Sequence, residues 1–242
     1  MNTVLITMAG RGQRFRDAGH DRPKYEIEVH GRTLFRWSLE SLAAWFDGPC
    51  DLVLVAREED HAGDFARRQT RAAGWPEPTL VELSHTTDGQ ATTAMLAQEA
   101  IRDHAAPLTI YNIDTHVTPR AMTPAAASGA GWIPCFRAGG DHWSFAAVGD
   151  DGRVTEVREK VRISPFATLG LYWFDSFERY ADLYARHFEA GGEEAGERYI
   201  APMYNRLIAD GAAVTISDIP VDAVVPLGTP TEVLTFTIQE HL

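Results

Sequence analysis

Lysine is rare in this chain, and its two lysines lie where chemistry would need them. Of 22 basic side chains only Lys24 and Lys160 are lysine, and all the others are arginine. The two residue types are interchangeable on most solvated surfaces, but a compact ammonium on a flexible stem suits phosphate binding at a reacting centre. Chance retention of two lysines is the competing interpretation, so the residues around them carry the argument.

Lys24 follows a loop rich in glycine and arginine. A strand-length apolar run at 4–8 leads into Gly10-Arg11-Gly12-Gln13-Arg14, and Pro23-Lys24 comes shortly afterwards. Glycines let backbone amides approach a polyphosphate without a Cβ in the way. Residue 15 is Phe, so the third glycine of a dinucleotide fingerprint is missing, and no P-loop Gly-Lys-Ser/Thr follows. Taken alone, the loop also fits an ordinary strand-to-helix turn.

The charge distribution favours a small anionic ligand over a nucleic acid. The net charge is -12, whereas nucleic-acid binders need a basic surface. Residues 1–24 nevertheless carry Lys24 and four arginines against two aspartates. Such a local excess of positive charge in an acidic protein suits a small polyphosphate.

The remaining composition gives expectations about location. No apolar run approaches the roughly 20 residues of a membrane span. The N-terminus has no basic segment before its apolar stretch, so we expect no signal peptide. Cys50 and Cys135 give neither a disulfide framework nor a metal-binding spacing, which favours a reducing cytoplasm.

Alternating strand and helix patterns predict one α/β domain, 1–242, without a linker that would divide it. Periodicity and turn residues predict the following elements: strands 3–8, 51–56, 79–83, 108–112 and 131–136, helices 33–45, 60–73 and 91–102, a hairpin of 143–148 and 153–158, a strand 167–174, helices 175–188 and 198–210, a strand 214–219 and a helix 230–240. This order predicts a mostly parallel, Rossmann-like sheet flanked by helices, with a smaller β-rich part.

Several short segments, in order, resemble the motifs of the nucleotidyltransferases that make nucleotide-activated sugars. They are residues 8–15 with Ala18-Gly19, Pro23-Lys24, 29–34, 87–93, 112–114, 154–160, 167–172, 197–202 and 227–230. The N-terminal segment is especially similar to a subgroup associated with capsule and surface-polysaccharide gene clusters. The resemblance spans nearly the whole chain, and both lysines fall on motif positions.

The resemblance implies a GT-A-like nucleotidyltransferase fold with a nucleotide-binding half, 1–138, and an acceptor-binding half, 139–242. It implies a Mg2+-dependent enzyme that transfers a nucleoside monophosphate from a nucleoside triphosphate to a phosphorylated sugar or related small metabolite and releases pyrophosphate. The product would be an activated precursor for capsular polysaccharide or secondary-metabolite biosynthesis. Neither a nucleic acid nor a membrane is an expected partner.

The matched motifs carry implied roles. Arg14 and the amides of 10–13 would hold the leaving pyrophosphate, Lys24 would neutralise the α-phosphate, and Lys160 would hold the acceptor phosphate in line; these three side chains are the implied catalytic residues. The implied nucleotide-binding residues are Met8, Ala9, Gly10, Arg11, Gly12, Gln13, Thr87, Asp88, Gly89, Thr92 and Asn112. The implied acceptor-binding residues are Glu159, Thr168, Gly170, Glu197 and Tyr199.

Asp114 is the implied Mg2+ ligand, in keeping with the preference of this cation for one or two carboxylates plus phosphate oxygens and water. Relatives commonly place a second acid immediately before the late Gly-Thr landmark, but here 225–229 reads Val-Pro-Leu-Gly-Thr. The nearest acid is Asp222. Either Asp222 reaches the metal from an altered loop, or Asp114 works with phosphates and water alone, which is the interpretation we favour.

Two other functions stay open on the sequence alone. One is a cytidylyltransferase whose acceptor is a phosphorylated polyol, amino alcohol or amino-acid amide. The other is a non-catalytic nucleotide-binding regulator with the same fold, since fold does not fix function. The missing second acid supports the regulator, whereas the joint presence of Arg14, Lys24, Asp114 and Lys160 speaks against it. The sequence does not identify the base, the acceptor or the oligomeric state.

Overall fold

The chain folds around one large mixed sheet, which a computed structural model describes for residues 2–194 and 196–236. Within those ranges the strands are β1 (Asn2–Thr7), β2 (Glu28–Val29), β3 (Arg32–Thr33), β4 (Cys50–Arg57), β5 (Thr79–Leu83), β6 (Leu108–Asn112), β7 (Thr115–Val117), β8 (Gly131–Arg137), β9 (Ser144–Val148), β10 (Val154–Glu159), β11 (Phe166–Thr168), β12 (Leu171–Phe174), β13 (Val214–Ile219) and β14 (Val224–Pro226). The α-helices are α1 (Gln13–Asp17), α2 (Leu34–Glu40), α3 (Ala62–Ala73), α4 (Gln90–Met95), α5 (Phe177–Glu189), α6 (Tyr204–Ala209) and α7 (Pro230–Thr235). None of these described helices has the length and apolar character to cross a membrane.

The main sheet joins a parallel part to an antiparallel part in the order β10-β9-β11-β8-β12-β6-β1-β4-β5. Strands β6, β1, β4 and β5 run parallel. The next strands pair antiparallel, except that β13 runs parallel to β8. This architecture confirms the predicted α/β class, with a mostly parallel sheet and a smaller β-rich part.

Apolar cores fill both faces of the sheet. Leu5 of β1 belongs to one core and its neighbours Val4 and Ile6 belong to the other, because successive strand residues point to opposite faces. A third, smaller core joins α1, α2 and α7 and consists of Phe15, Leu34, Trp37, Leu227, Val233 and Phe236. This third core packs α7 against α1, the helix that follows the glycine-rich loop.

The single strand predicted at 167–174 is wrong, because Gly170 divides it into β11 and β12. Gly170 has a φ of 77°, a left-handed conformation that favours glycine. A Cβ at this position would lie only 2.1 Å from Asn112 Nδ2. The break lets β11 pair with β8 and β9, whereas β12 pairs with β6 and β8.

Two predicted helices are shorter than their apolar patterns indicate. The helix predicted at 33–45 ends at Glu40, and the one predicted at 91–102 ends at Met95. Each is followed by one 3-10 turn, Ala43–Trp45 and Gln98–Ala100 respectively. A 3-10 turn repeats side chains at i and i+3, so apolar periodicity does not distinguish it from a further turn of α-helix.

Two later helices also differ from their predicted bounds. The helix predicted at 198–210 begins only at Tyr204, after a 3-10 turn that contains Pro202. The helix predicted at 230–240 ends at Thr235, and its last four predicted residues lie outside the described residues.

A small sheet of β7 and β14, which the sequence did not predict, brings the C-terminal segment to the main sheet. The two strands are antiparallel, with Pro226 opposite Thr115 and Val224 opposite Val117. Immediately beyond this pairing, the backbone N–H of Leu227 donates a 2.6 Å hydrogen bond to the carbonyl of Asp114. The segment that begins at Leu227 therefore lies beside the acid that follows β6.

Candidate active site

A cleft of about 630 Å³ opens at the carboxyl ends of β1 and β6. This edge of a parallel sheet is where ligands bind in open α/β folds. Its lining comes from segments far apart in the chain: residues 7–11, 24, 86–90, 93, 112–114, 196 and 197. The glycine-rich loop, Lys24, the turn at 86–90 and Asp114, which lie in separate motifs of the sequence, thus share one cavity.

The glycine-rich loop bends directly from β1 into α1. Gly12 has a φ of 61° and stands at the N-terminal end of α1, and a Cβ there would lie 3.7 Å from the Cβ of Lys24. Arg11 crosses to the far side of the cleft, where its Nε donates a 3.2 Å hydrogen bond to Thr86 Oγ1. Arg14 lies on α1, exposed and outside the cleft lining.

Lys24 and Asp114 form an ion pair on the cleft wall. The Lys24 ammonium contacts Asp114 Oδ1, and their side chains are 12% and 36% exposed. Asn112 supports this arrangement, because its side-chain oxygen accepts a 3.4 Å hydrogen bond from the Asp114 N–H. The structure therefore places a compact cation and a carboxylate beside the glycine-rich loop.

The turn at 86–90 forms the opposite wall of the cleft. Thr87 Oγ1 lies 2.6 Å from Thr93 Oγ1, and both hydroxyls donate to the carbonyl of Gly89 at 3.1 Å. Gln90 reaches across to β1, where its amide donates to Thr7 Oγ1 at 3.0 Å. These bonds hold the turn in a defined shape at the start of α4.

Lys160 has an unusual backbone and a well-defined partner. Its φ is 53°, a left-handed conformation that is uncommon outside glycine. The ammonium donates a 2.7 Å hydrogen bond to Tyr199 Oη and lies 4.8 Å from the centre of the Tyr199 ring. The hydrogen bond with Tyr199 is the main cause that raises the pKa of Lys160.

Glu159 is buried directly beneath this lysine. Its carboxylate accepts a hydrogen bond from Ser144 Oγ, and its backbone N–H donates to Glu194 Oε2 at 3.0 Å. Burial raises the pKa of the Glu159 carboxyl, while the Ser144 hydrogen bond and the charge of Lys160 oppose that rise. The side chain is thus held in place between β9 and β10.

Comparison with known proteins identifies the family. No protein-family model and no curated protein matches the chain. Among solved structures, the nucleoside-diphosphate-sugar pyrophosphorylase from Vibrio cholerae RC9 is 34% identical, with a TM-score of 0.87 over 95% of this chain and 97% of that one. The chain belongs to the nucleotidyltransferase family. It is therefore an enzyme, which decides against the non-catalytic regulator.

Two more distant structures share the fold of this nucleotidyltransferase. The inositol-1-phosphate CTP transferase from T. maritima has a TM-score of 0.75 at 15% identity, covering 96% of this chain and 91% of its own. A candidate glucose-1-phosphate thymidylyltransferase from Bacillus anthracis has a TM-score of 0.76 at 12% identity, covering 99% and 98%. At these identities the likeness concerns the fold alone.

The predicted site residues of the nucleotidyltransferase divide into two groups. The cleft lining includes Met8, Ala9, Gly10, Arg11, Lys24, Thr87, Asp88, Gly89, Asn112, Asp114 and Glu197. Outside the lining are Gly12, Gln13, Arg14, Thr92, Glu159, Lys160, Thr168, Gly170, Tyr199 and Asp222. Within the second group, Glu159, Lys160 and Tyr199 form one cluster, and Gly170 packs against Asn112 of the cleft wall.

Two residues outside the lining make hydrogen bonds elsewhere in the fold. The Thr92 hydroxyl lies 2.9 Å from Tyr184 Oη of α5, on the side of α4 away from the cleft. The buried Thr168 hydroxyl lies 3.2 Å from Tyr172 Oη. Neither threonine is among the residues that line the cleft.

Asp222 does not reach Asp114 in the structure. β14 runs antiparallel to β7, so Pro226, at the end of β14, lies opposite Thr115, which follows Asp114 in the chain. Asp222 precedes β14 and therefore lies beyond the other end of this pairing, away from Asp114. The Asp222 side chain is exposed to solvent there. The segment that carries Asp222 therefore leads away from Asp114 in this structure.

Glu232, which the sequence analysis missed, lies close to Asp114 instead. A Cβ on Gly228 would lie 3.6 Å from Glu232 Oε2 and 3.8 Å from Asp114 Oδ2, so both carboxylates border the same small space. Thr229 Oγ1 accepts a 3.2 Å hydrogen bond from the Glu232 N–H and fixes the first turn of α7. The sequence does contain one relevant signal: the spacing Thr229-x-x-Glu232 is that of a helix capping box, which places Glu232 in the first turn of a helix.

Proposed function

We propose that this nucleotidyltransferase transfers a nucleoside monophosphate from a nucleoside triphosphate to a phosphorylated sugar or a related phosphorylated metabolite. The observation that carries the proposal is the contact of Lys24 with Asp114 inside a cleft that also holds the glycine-rich loop and the turn at 86–90. The Vibrio cholerae relative is described as a nucleoside-diphosphate-sugar pyrophosphorylase, which supports a sugar phosphate as the acceptor.

The proposed reaction needs little acid–base chemistry. An oxygen of the acceptor phosphate attacks the α-phosphorus, a new phosphorus–oxygen bond forms, and the bond from the α-phosphorus to the oxygen bridging to the β-phosphate breaks. Pyrophosphate leaves with that oxygen and its electron pair. A phosphate dianion is already a nucleophile at neutral pH, so the protein has to align the two phosphates and stabilise the charge that develops.

Lys24 is the proposed cation at the α-phosphate. It lines the cleft, and its largely buried stem lies next to Gly12 of the glycine-rich loop. An ammonium offers three donors around one point charge, which suits a phosphorus centre whose oxygens move during the reaction. Arg11 and Arg14 add positive charge on the loop side, where the proposal places the leaving pyrophosphate.

The residues beside Lys24 fit a bound Mg2+. Among the described residues no three His, Cys, Asp or Glu side chains form a metal-binding group. Asp114 and Glu232 nevertheless border one space, and Mg2+ is commonly held by one or two carboxylates with substrate phosphates and water completing its shell. We propose that Asp114 and Glu232 hold this ion. Bound Mg2+ would neutralise charge on the triphosphate.

The acceptor side of the proposed site is the cluster of Lys160, Glu159 and Tyr199, with Glu197 at the cleft. Lys160 would bind the acceptor phosphate, because its left-handed backbone and its bond to Tyr199 hold the ammonium in one place. Glu197 lines the cleft and accepts hydrogen bonds only, so it would bind hydroxyl or ammonium groups of the acceptor. Gly170 would shape this side by packing against Asn112.

A non-sugar acceptor is the second candidate. Glu159 and Glu197 lie close enough to act on the charge of Lys160, and Glu194, which also pairs with Arg158, accepts from the Glu159 N–H. These three carboxylates also suit an acceptor that carries an ammonium group. A cytidylyltransferase for a phosphorylated amino alcohol or amino-acid amide would meet that description. The same carboxylates would bind the hydroxyls of a phosphorylated polyol.

Two wider proposals follow from this function. The product would be an activated nucleoside-diphosphate precursor for capsular polysaccharide or for secondary metabolism. We also propose a cytoplasmic location, which is supported by the free thiols of Cys50 and Cys135.

The deciding experiment is a matrix of ATP, CTP, GTP, UTP and dTTP against phosphorylated sugars, polyols, amino alcohols and amino-acid amides. Pyrophosphate release and product mass would be recorded with Mg2+, and Lys24→Ala would serve as the inactive control. We expect one triphosphate and one acceptor class to give a product of the summed mass minus pyrophosphate. Pyrophosphate release that Lys24→Ala leaves unchanged would contradict the proposal.

A further inference from the structure

Arg198 and Tyr199 connect the nucleotide wall of the cleft to Lys160. The backbone N–H of Arg198 donates to the carbonyl of Asp88 at 2.8 Å, and the carbonyl of Arg198 accepts from Ala91 N–H at 3.0 Å. The next residue, Tyr199, holds the Lys160 ammonium through its hydroxyl at 2.7 Å. Two consecutive residues therefore contact both substrate sides of the proposed site.

The Arg198 side chain strengthens the connection to the turn at 86–90. Its Nε lies 3.1 Å from Asp88 Oδ2 and donates to Glu193 Oε1 at 3.2 Å. Its Nη1 donates to Tyr184 Oη of α5 at 2.9 Å, and the guanidinium lies 5.0 Å from the centre of the Phe188 ring. The planar fork of arginine makes these contacts together, which an ammonium could not do.

Gly89 shows how closely the two segments are joined. A Cβ at Gly89 would lie 2.4 Å from the carbonyl oxygen and 2.6 Å from the backbone nitrogen of Arg198. Its φ of 149° is one that side-chain-bearing residues rarely adopt. With no space between the backbones, a movement of the turn has to move Arg198.

Lys160 depends on Tyr199 for its position. A residue other than glycine in the left-handed region is strained and keeps that conformation only where its surroundings hold it. Tyr199 supplies both a hydrogen bond and a ring face to the ammonium, whereas the Glu159 carboxylate is 4.0 Å away. A displacement of Tyr199 would therefore release the Lys160 ammonium, while the backbone N–H of Lys160 still donates to the Trp143 carbonyl at 2.9 Å.

We propose that Arg198, through its side chain, is a positioning residue that couples the two substrate sites, so that triphosphate binding at the turn fixes Tyr199 and Lys160 for the acceptor phosphate. The inference rests on the proposed function, in which the turn binds the nucleotide and Lys160 binds the acceptor. Coupling between binding sites is reciprocal, so acceptor binding strengthens triphosphate binding by the same factor.

The rarity of lysine makes this coupling measurable without a known acceptor. An amine-acetylating reagent, followed by peptide mass analysis, reports Lys24 and Lys160 separately because the chain has no other lysine. Lys24 lines the cleft and reports triphosphate occupancy, whereas Lys160 lies outside the lining and reports the coupling. The probes are CTP, ATP, GTP, UTP and dTTP, each added at saturation as judged by Lys24 protection.

Arg198→Met tests the coupling, and Arg186→Met is the matched control. Arg186 is an arginine of α5 whose ion pairs, within the described part of the chain, are with the surface residues Asp182 and Asp210. In the wild type, the triphosphate that protects Lys24 should slow Lys160 acetylation about fivefold or more, the lower range of ordinary coupling. In Arg198→Met at full Lys24 protection the effect on Lys160 should fall below about twofold, while Arg186→Met behaves as the wild type.

The other outcomes would contradict either the coupling role of Arg198 or the proposed function. Equal Lys160 protection in Arg198→Met and wild type would mean that the nucleotide affects Lys160 without the Arg198 side chain, and the coupling role assigned to that side chain is wrong. Loss of the effect in Arg186→Met would assign it to general loosening of α5, and the role is again wrong. Protected Lys24 with unprotected Lys160 in the wild type overturns the coupling alone. No protection of Lys24 by any triphosphate overturns the proposed function as well.

Discussion

Lys24 and Asp114 contact each other on one wall of the cleft although 90 positions separate them in the chain. The ammonium contacts Asp114 Oδ1, whereas Oδ2 faces the space beside Gly228 and Glu232. The two oxygens of one carboxylate therefore have different neighbours, a cation on one side and a second acid on the other. In the proposed function, this division would let Asp114 orient Lys24 through one oxygen and offer the other to a metal ion.

Replacing Lys24 should abolish turnover without unfolding the protein. Lys24→Ala removes the proposed charge at the α-phosphate, and loss of one such donor costs about 100-fold or more in kcat. Lys24→Arg should fail similarly, because a planar fork does not replace a point charge at an in-line centre. Steady-state kinetics with circular dichroism as the folding control would test both. Near wild-type turnover in Lys24→Arg would show the assigned role to be wrong.

Asp114→Asn should remove most activity and separate nucleotide binding from metal binding. The substitution keeps the size of the side chain but leaves Lys24 without its counter-ion. Calorimetry without divalent cations should therefore show that triphosphate binding is retained. Added Mg2+ should no longer strengthen that binding, as it does in the wild type. A variant in which Mg2+ strengthens binding as before would contradict the role of Asp114.

Glu232→Gln and Asp222→Asn form a pair that locates the second acid. Gln still supports a capping box, so Glu232→Gln should keep the melting temperature of the wild type. Its affinity for Mn2+ with triphosphate, measured by electron paramagnetic resonance, should fall about tenfold or more, since a charge-assisted contact contributes about 1.5–3 kcal/mol. Asp222→Asn should leave Mn2+ affinity unchanged. The reverse pattern would return the second ligand to Asp222.

Lys160→Ala should act mainly on the acceptor. Triphosphate affinity without acceptor should be almost unchanged, because Lys160 lies outside the cleft lining. The KM of the acceptor should rise and kcat should fall, because a misaligned phosphate loses its orientation advantage. The loss in kcat/KM should be at least about tenfold. Loss of triphosphate binding instead would place Lys160 on the nucleotide side.

Gly170→Ala should destabilise the fold more than a change at a similar but open glycine. A Cβ at Gly170 would lie 2.1 Å from Asn112 Nδ2, whereas Gly152, with a φ of 79°, has nothing within 4 Å. Gly152→Ala should destabilise the fold only by its backbone strain, about 1–3 kcal/mol. Gly170→Ala should add to this strain the clash of the new Cβ with Asn112. Denaturant unfolding would measure the difference. Equal destabilisation would show that Asn112 moves aside freely.

The sequence by itself determined the fold class and the parts of the site that depend on short stretches of chain. The glycine-rich loop and Asp114 each follow a strand of the parallel part, and the carboxyl ends of such strands meet at one edge. The turn at 86–90 precedes α4 and reaches the same cleft. Local sterics and apolar periodicity fix these features, so they can be read without knowledge of distant contacts.

The tertiary structure decided every relationship that depends on packing between distant segments. The register of β14 on β7 takes Asp222 away from Asp114, and the third core brings Glu232 close to it. In the same way, contact with α5 keeps Thr92 out of the cleft. Register and packing arise from many weak contacts made together, and periodicity along a single chain does not encode which of them form.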